Sequence, residues 1–387
     1  MFAGATDSRG RRRRGSAPGM SARKKPQLQP LSVSNNGTST LGKSFSLSDT
    51  GSFAKDNFVV GSSGITASPL QQGEVSDLRL ESVDLGPLIG KGASSRVYSA
   101  IHRPSGKRLA LKMLQSDVEQ SAETRSLVLN EIKAVFDACS DSLVTFYDAF
   151  HHDGAIYLAL EYMDCGSLEG VFRVVGRTPQ RVLPEGFLAA ILFQTLQGLI
   201  YLHRERRTCH RDLKPANILL DSSGFVKLSD FGISKQLGTG TYAQAGTQVG
   251  TLQYMSPERV RGEPYGYASD VWSLGLIGLE GSLGQYPYSG AKTVFDQGRM
   301  IVDDPLPTER PEVQQHLPPD FLELVHACLA KAPHSRPDAT TLIRSPFFQR
   351  HLSGPVDLRS LLLSLRPQLE QEFMQSPPTT TPMQVTS

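Results

Sequence analysis

The feature that most constrains this chain is an eight-residue run, His210-Arg211-Asp212-Leu213-Lys214-Pro215-Ala216-Asn217, followed eighteen residues after Asp212 by Asp230-Phe231-Gly232. Between the two lie β-like runs at 218–220 and 226–228, with Ser222, Ser223 and Gly224 as turn formers. A hairpin over this stretch folds Asp230 back beside Asn217. Phosphoryl transfer to a hydroxyl needs a carboxylate that orients the hydroxyl and accepts its proton. It also needs oxygen ligands for Mg²⁺ bridging the phosphates. Asp212 suits the first task, and Asn217 and Asp230 suit the second.

The remainder of the chain divides by texture. From Leu78 to about Asp148, β-like runs alternate with one helix-like stretch: Leu85–Ile89, Arg96–Ile101, Arg108–Leu114, the helical spacing of Ser121–Cys139, then Leu143–Ala149 and Ile156–Glu161. Helices are expected afterwards at Pro184–His203, Ala268–Gly284 and Pro319–Lys331. This reads as an α+β, bilobal architecture, with a small β-rich lobe before a larger helical one. The expected domains are a basic tail at 1–77, the bilobal unit at 78–349 and a C-terminal tail at 350–387. The first 77 residues are rich in Ser, Gly and Thr and carry a net charge of +5, leaving −3 for the rest. Such a composition is expected to stay disordered.

Two further features suggest a nucleotide. Gly90-Lys91-Gly92-Ala93-Ser94-Ser95-Arg96-Val97 lies between two β-like runs, where glycines let backbone amides approach phosphates. A dinucleotide fingerprint opens a helix, whereas this loop opens a strand, which favours a flap over phosphates. Lys112 sits among Leu109, Leu111 and Met113, and a lysine buried there needs an anionic partner. Glu131, on the following helical stretch, is the candidate.

With these motifs in order over Val83–Phe348, the chain resembles the eukaryotic protein kinases. The resemblance implies ATP and Mg²⁺ as cofactors, and Asp212, Lys214, Lys112 and Glu131 as the catalytic group. It places ATP on Ile89, Gly90, Lys91, Gly92, Val97, Ala110 and Lys112, with Glu161 and Met163 binding adenine through backbone and Leu160 at the rear of the pocket. Asn217 and Asp230 would hold the metal. Ser256-Pro257-Glu258 matches the usual Ala-Pro-Glu, Arg336 its arginine partner, and Asp270 the buried aspartate that braces the catalytic loop. Ser95 replaces the third glycine of the flap, which should stiffen the flap without abolishing binding.

Within that family the chain is most similar to the MAP kinase kinases, through Leu160-Glu161-Tyr162-Met163-Asp164-Cys165-Gly166-Ser167-Leu168, Asp230-Phe231-Gly232-Ile233-Ser234 and Val249–Arg259. This resemblance, and no spacing, implies dual specificity for Thr and Tyr, a MAP kinase as substrate and a MAP kinase kinase kinase upstream. Lys214 beside Asp212 is by itself the mark of serine/threonine kinases, so a neighbouring family stays open as the alternative. A catalytically dead scaffold fits poorly with the full residue set. Ser52–Val60 resembles the pre-kinase stretch of plant-type members, and 285–313 carries no long proline-rich insert. Thr241 and Thr247, with five residues between them, match the plant-type phosphorylation pair, with Arg211 as the group that meets a loop phosphate.

Arg23, Lys24 and Lys25, followed by Leu31 and Val33, resemble a motif for docking a MAP kinase, about 50 residues ahead of the lobes. Pro355–Leu365 fits either a docking site for the upstream kinase or a terminal helix packed on the domain. The overall charge of +2 is too balanced for a generic nucleic-acid binder. The longest apolar run, Phe187–Phe193, is short of a membrane span. Four scattered cysteines without a CxxC pair point to a reducing compartment. The expected location is the cytoplasm, with the Arg11–Arg14 run leaving nuclear entry open.

Overall fold

The structure is a computed structural model that describes residues 46–47, 53–55, 58–61, 64–66, 78–92, 95–114, 132, 138, 140–153, 155–231, 252–354 and 356–375, all within one compact unit, 43–387. Glu131, Thr241, Thr247 and the docking residues Arg23, Lys24, Lys25, Leu31 and Val33 lie outside these. So does all of the expected helix at 121–139 except Ile132, which is helical, and Ala138.

The first strands are β1 (Ser46–Leu47), β2 (Phe53–Lys55), β3 (Phe58–Gly61) and β4 (Gly64–Thr66), which form an antiparallel sheet in sequence order. This departs from the structureless tail expected at 1–77. Lys55 pairs with Phe58 and Gly61 with Gly64, so two residues join each pair of strands. A composition averaged over 77 residues hides this local hairpin pattern.

The five-stranded antiparallel sheet that follows contains β5 (Val83–Lys91), β6 (Ser95–His102), β7 (Lys107–Leu114), β8 (Phe146–His152) and β9 (Ala155–Glu161), in the order β5-β6-β7-β9-β8. Strand alternation gives the sheet two distinct faces. Leu109, Leu111 and Met113 pack with Ala100, Phe150, Tyr157 and Ala159 into a closed core. Ala110 and Lys112 point the other way, where register aligns Val97, Lys112 and Leu158 across three strands and Ala110 with Leu160. β8 begins three residues later than expected because Leu143 and Val144 do a different job. Both are buried, and Val144 donates to the carbonyl of Leu228 at 2.9 Å, stitching this lobe to the next.

The helical lobe contains α1 (Leu168–Val175), α2 (Glu185–Ile200), the hairpin β10 (Ile218–Leu220) and β11 (Val226–Leu228), α3 (Pro257–Val260), α4 (Ala268–Leu283) and α5 (Val294–Val302). It continues with α6 (Pro311–His316), α7 (Pro319–Cys328), α8 (Ala339–Leu342), α9 (Pro346–Leu352) and α10 (Leu358–Gln375). Among the described residues, Glu185–Glu205 is one helical stretch long and apolar enough to cross a bilayer, which the broken run at Gln194 had not suggested. It is the central helix of the lobe, with 61% of its apolar window buried. α4 packs across it and stops at Gly284, whose φ is +68°. A side chain there would also strike the carbonyl of Arg181, so only glycine ends this helix in this way. In the last segment Leu358, Leu362 and Leu369 are buried, so the 355–365 stretch leads into a packed terminal helix.

The lobe is locked by a buried ion pair. Arg336 grips Glu258 through two 2.8 Å hydrogen bonds and lies over the ring of Trp272. Burial opposes the charge on Glu258, but the bonds from Arg336 and its own backbone outweigh it, holding the carboxyl at about 2 instead of the ordinary 4.5. A carboxyl lowered on folding contributes its full stability above pH about 4.5 and loses it as pH falls toward about 2. Glu258→Gln strands the guanidinium and is expected to cost about 3–5 kcal/mol in urea denaturation at pH 7. The variant's stability should also fall less steeply than the wild type's between pH 5 and 2.

Candidate active site

The β10–β11 hairpin gathers the site from the helical lobe. Ile218 pairs with Leu228, and Ser229 donates its N–H to the Asn217 carbonyl at 2.9 Å, which sets Asp230 beside Asn217 as the motif spacing implied. The turn is closed by Asp221, whose carboxylate accepts from the N–H groups of Ser223 and Phe225, with Gly224 at φ +93°. Around Asp212, the Lys214 ammonium lies 2.7 Å from the carboxylate. The Asn217 amide nitrogen donates to the Asp212 carbonyl at 2.7 Å and to its carboxylate at 3.0 Å.

The loop that carries Asp212 is held from beneath. Asp270, 1% exposed at the start of α4, accepts the backbone N–H of His210 at 2.8 Å and that of Arg211 at 2.9 Å, and a 2.8 Å bond from His203. Burial works against its charge, but His203 and these amides hold its carboxyl below the ordinary range. Arg211 at φ +73° and Asp230 at φ +59° sit in the left-handed region, unusual for residues other than glycine. Such conformations persist where the surroundings over-determine them, and the Asp270 bonds do this for Arg211.

The sheet supplies the roof. Lys112, 5% exposed on the inner face of β7, places its ammonium 2.5 Å from the Asp230 carboxylate. The sequence offered Glu131 as its partner; among the described residues the partner is Asp230. Burial resists the charge on Asp230, but the Lys112 cation prevails and its carboxyl lies below the ordinary range. In the flap, Gly90 pairs with Val97, Lys91 with Arg96, and Gly92 donates to the Ser95 carbonyl at 2.8 Å. Ile89 precedes them at the end of β5, and Ala110 sits 9% exposed above the cleft.

The segment joining the lobes carries the remaining candidates. The Met163 N–H has no partner among the described residues, a free donor of the kind an adenine edge takes, and in the strands leading to it Leu160 pairs with Ala110. The Glu161 side chain is fully engaged. It takes Lys227 at 2.8 Å on both oxygens, together with the N–H and hydroxyl of Thr145. Its backbone N–H is taken as well, by the Thr145 carbonyl at 2.8 Å, so only its own carbonyl is left for a ligand. The next carboxylate, Asp164, accepts the N–H and hydroxyl of Ser222, both at 2.7 Å. Sequence reasoning missed Lys227, Thr145 and Ser222; each is an ordinary polar residue in its local context, and the 58 to 66 residues between Ser222 or Lys227 and their partners leave no local signal. For a metal, Asn217 and Asp230 offer hard oxygens of the kind Mg²⁺ takes. The amide nitrogen of Asn217 is turned to Asp212, which leaves its oxygen for a cation.

The protein kinase domain family matches residues 83–348. Mitogen-activated protein kinase kinase 2 of Arabidopsis thaliana is 38% identical over 299 residues, covering 76% of this chain and 79% of the relative. Mitogen-activated protein kinase kinase SIPKK of Nicotiana tabacum is 38% identical, covering 80% and 86%. Dual specificity mitogen-activated protein kinase kinase 1 of Dictyostelium discoideum is 42% identical over 201 residues, 52% of this chain and 29% of that protein. The chain belongs to the protein kinase family and, within it, to the MAP kinase kinases. Asp270→Asn keeps the size of the brace but turns an amide N–H toward a backbone N–H. Turnover is expected to fall by about 10²-fold, the scale of an ångström misplacement, while the KM for nucleotide changes little in steady-state assays.

Proposed function

We propose that the protein is a dual-specificity MAP kinase kinase, moving the γ-phosphoryl group of MgATP to a Thr and a Tyr in the activation loop of a MAP kinase. The observation that carries this is the meeting of Asp212, Lys214, Asn217, Asp230 and Lys112 at one cleft between the lobes. Asp212 orients the substrate hydroxyl and takes its proton. Lys214 offsets negative charge on the transferring group. Lys112 has three N–H donors, and with one on Asp230 two remain for phosphate oxygens. Asn217 and Asp230 would hold Mg²⁺, which would supply charge neutralisation at the phosphates. Ile89, Gly90, Lys91, Gly92, Val97 and Ala110 cover the nucleotide, with Met163 and the Glu161 backbone at its base edge. Dual specificity is supported by likeness to the family and by the name of the Dictyostelium relative.

The reading is tested with the activated protein and MAP kinases of its own organism, with products mapped by mass spectrometry. Phosphate on both Thr and Tyr of one activation loop is expected; phosphate on Ser or Thr alone favours a neighbouring serine/threonine kinase. Asp212→Asn should lower turnover by about 10²–10⁴-fold, the usual contribution of a general base, with nucleotide binding retained. A variant keeping half the wild-type turnover defeats the assignment.

Activation by a MAP kinase kinase kinase fits Thr241 and Thr247, with Arg211 awaiting the added charge. A phosphate brings a charge of about −1.5 to −2 and acceptor oxygens that an arginine can hold. Thr241→Ala with Thr247→Ala should leave basal activity that the upstream kinase cannot raise. Normal activation of that double variant moves the switch elsewhere, first to Thr239. The docking motif Arg23–Val33 is read as a tether for the MAP kinase. Because β1 begins at Ser46, twelve residues separate Val33 from the first strand, which span at most about 40 Å. That is a shorter reach than a free chain of 50 residues allows. A cytoplasmic location with access to the nucleus suits such a kinase.

A further inference from the structure

The C-terminal helix α10 touches parts of the molecule that the catalytic reading leaves unused. Leu358, Leu362, Leu365 and Leu369 fall on one face at helical spacing, and that face packs into the core of the helical lobe. Leu369 lies against Gly170 of α1, where an added Cβ would meet it at 3.7 Å. α1 packs against the Pro215–Asn217 turn and β10 and so forms the floor of the cleft, and the polar side of α10 is tied to that floor. Arg366 reaches Asp164, the residue after Met163, at 3.4 Å. Glu372, with only 12% of its side chain exposed, is clamped between Arg173 at 3.2 Å and Arg177 at 2.5 Å at the far end of α1. The helix also comes close to β5, the strand that ends in Ile89, Gly90 and Lys91.

One helix therefore contacts the floor of the cleft, the segment joining the lobes and the roof strand. Roof and floor must separate for a nucleotide to pass, and α10 spans the two. Its grip on the floor is apolar along most of its length, but near α1 and Asp164 it is held by ion pairs between partly exposed groups. From this geometry we propose that α10 is a positioning strap across the outer edge of the nucleotide cleft, limiting separation of β5 from α1 and so slowing nucleotide release. Arg366 and Glu372 act as positioning residues through Asp164 and α1 and touch no substrate. The inference rests on the reading of the cleft as a nucleotide site and adds a control on how fast that site exchanges.

The full-length protein with a fluorescent ADP analogue tests this, with dissociation followed by stopped flow. Glu372→Arg sets a third cation against Arg173 and Arg177, and Arg366→Ala removes the tie of α10 to Asp164, which keeps its bonds from Ser222. Together they are expected to speed release by about two- to fivefold, the scale exposed ion pairs support. Reversing the clamp in Glu372→Arg with Arg173→Glu and Arg177→Glu should restore the slow rate. Raising NaCl to about 0.5 M should speed wild-type release and leave the variant's rate unchanged, because these pairs are screened. A variant that melts at the wild-type temperature and releases the analogue at the wild-type rate overturns the strap. So does a variant that loses only MAP kinase phosphorylation with nucleotide release untouched, which would make α10 a docking element. Failure of the wild type to bind the analogue at all would sink the nucleotide reading itself, and the strap with it.

Discussion

Much of the site hangs from the carboxylate of Asp270. It is nearly inaccessible to water, and it accepts two consecutive backbone N–H groups from the loop that carries Asp212 while a third bond comes from His203. A buried carboxylate is costly unless every lone pair has a donor, and here the donors are the loop itself. The loop must therefore adopt the conformation that presents those amides, including the left-handed turn at Arg211. From that turn the chain runs directly into Asp212, Lys214 and Asn217, whose mutual hydrogen bonds would have no common geometry without the brace. The cost of burying one charge is balanced by the order it imposes on the residues above it.

A second arrangement sets the cleft between the lobes. Alternation along β7 assigns the large side chains to the closed core and leaves Ala110 and Lys112 on the inner face, where Asp230 rises from the other lobe to meet the ammonium. The lobes are joined by polar stitches: Lys227 and Thr145 on Glu161, Ser222 on Asp164, and Val144 on Leu228. The Lys227 and Ser222 bonds tie the hairpin that positions Asp230 to the segment that carries Met163, Val144 ties the same hairpin to the stretch before β8, and Thr145 braces Glu161 from that stretch. The two halves of the site thus share one support, and a shift in either lobe is felt at the same hairpin. The terminal helix α10 enters this support at Asp164 and extends it toward the roof.

Legibility in the sequence varied with distance along the chain. The 212–230 spacing implied the hairpin, because strand-forming residues and a Ser-Ser-Gly turn are local signals, and the helices at Pro184, Ala268 and Pro319 follow from long apolar stretches, with a proline at the start of the first and third. The sheet at 46–66 was missed because strands of two to four residues contribute little to an averaged composition. β8 was placed too early because Leu143 and Val144 are as apolar as strand residues, yet they serve the junction between lobes. The apolar residues after Pro355 gave no sign of whether they faced a partner or the chain's own core.

By itself the sequence determined which chemistry the chain can carry out and the order in which its groups are delivered, since acid–base character, metal-ligand type and turn propensity belong to residue type and near-neighbour spacing. Only the tertiary structure decided which groups become partners. Lys112 meets Asp230 across 118 positions, Arg336 meets Glu258 across 78, and Asp270 meets His210 across 60. Those pairings follow from packing two lobes and burying the charges that packing traps. The energy of a trapped charge depends on what lies within a few ångströms in space, a quantity that a linear order of residues does not contain.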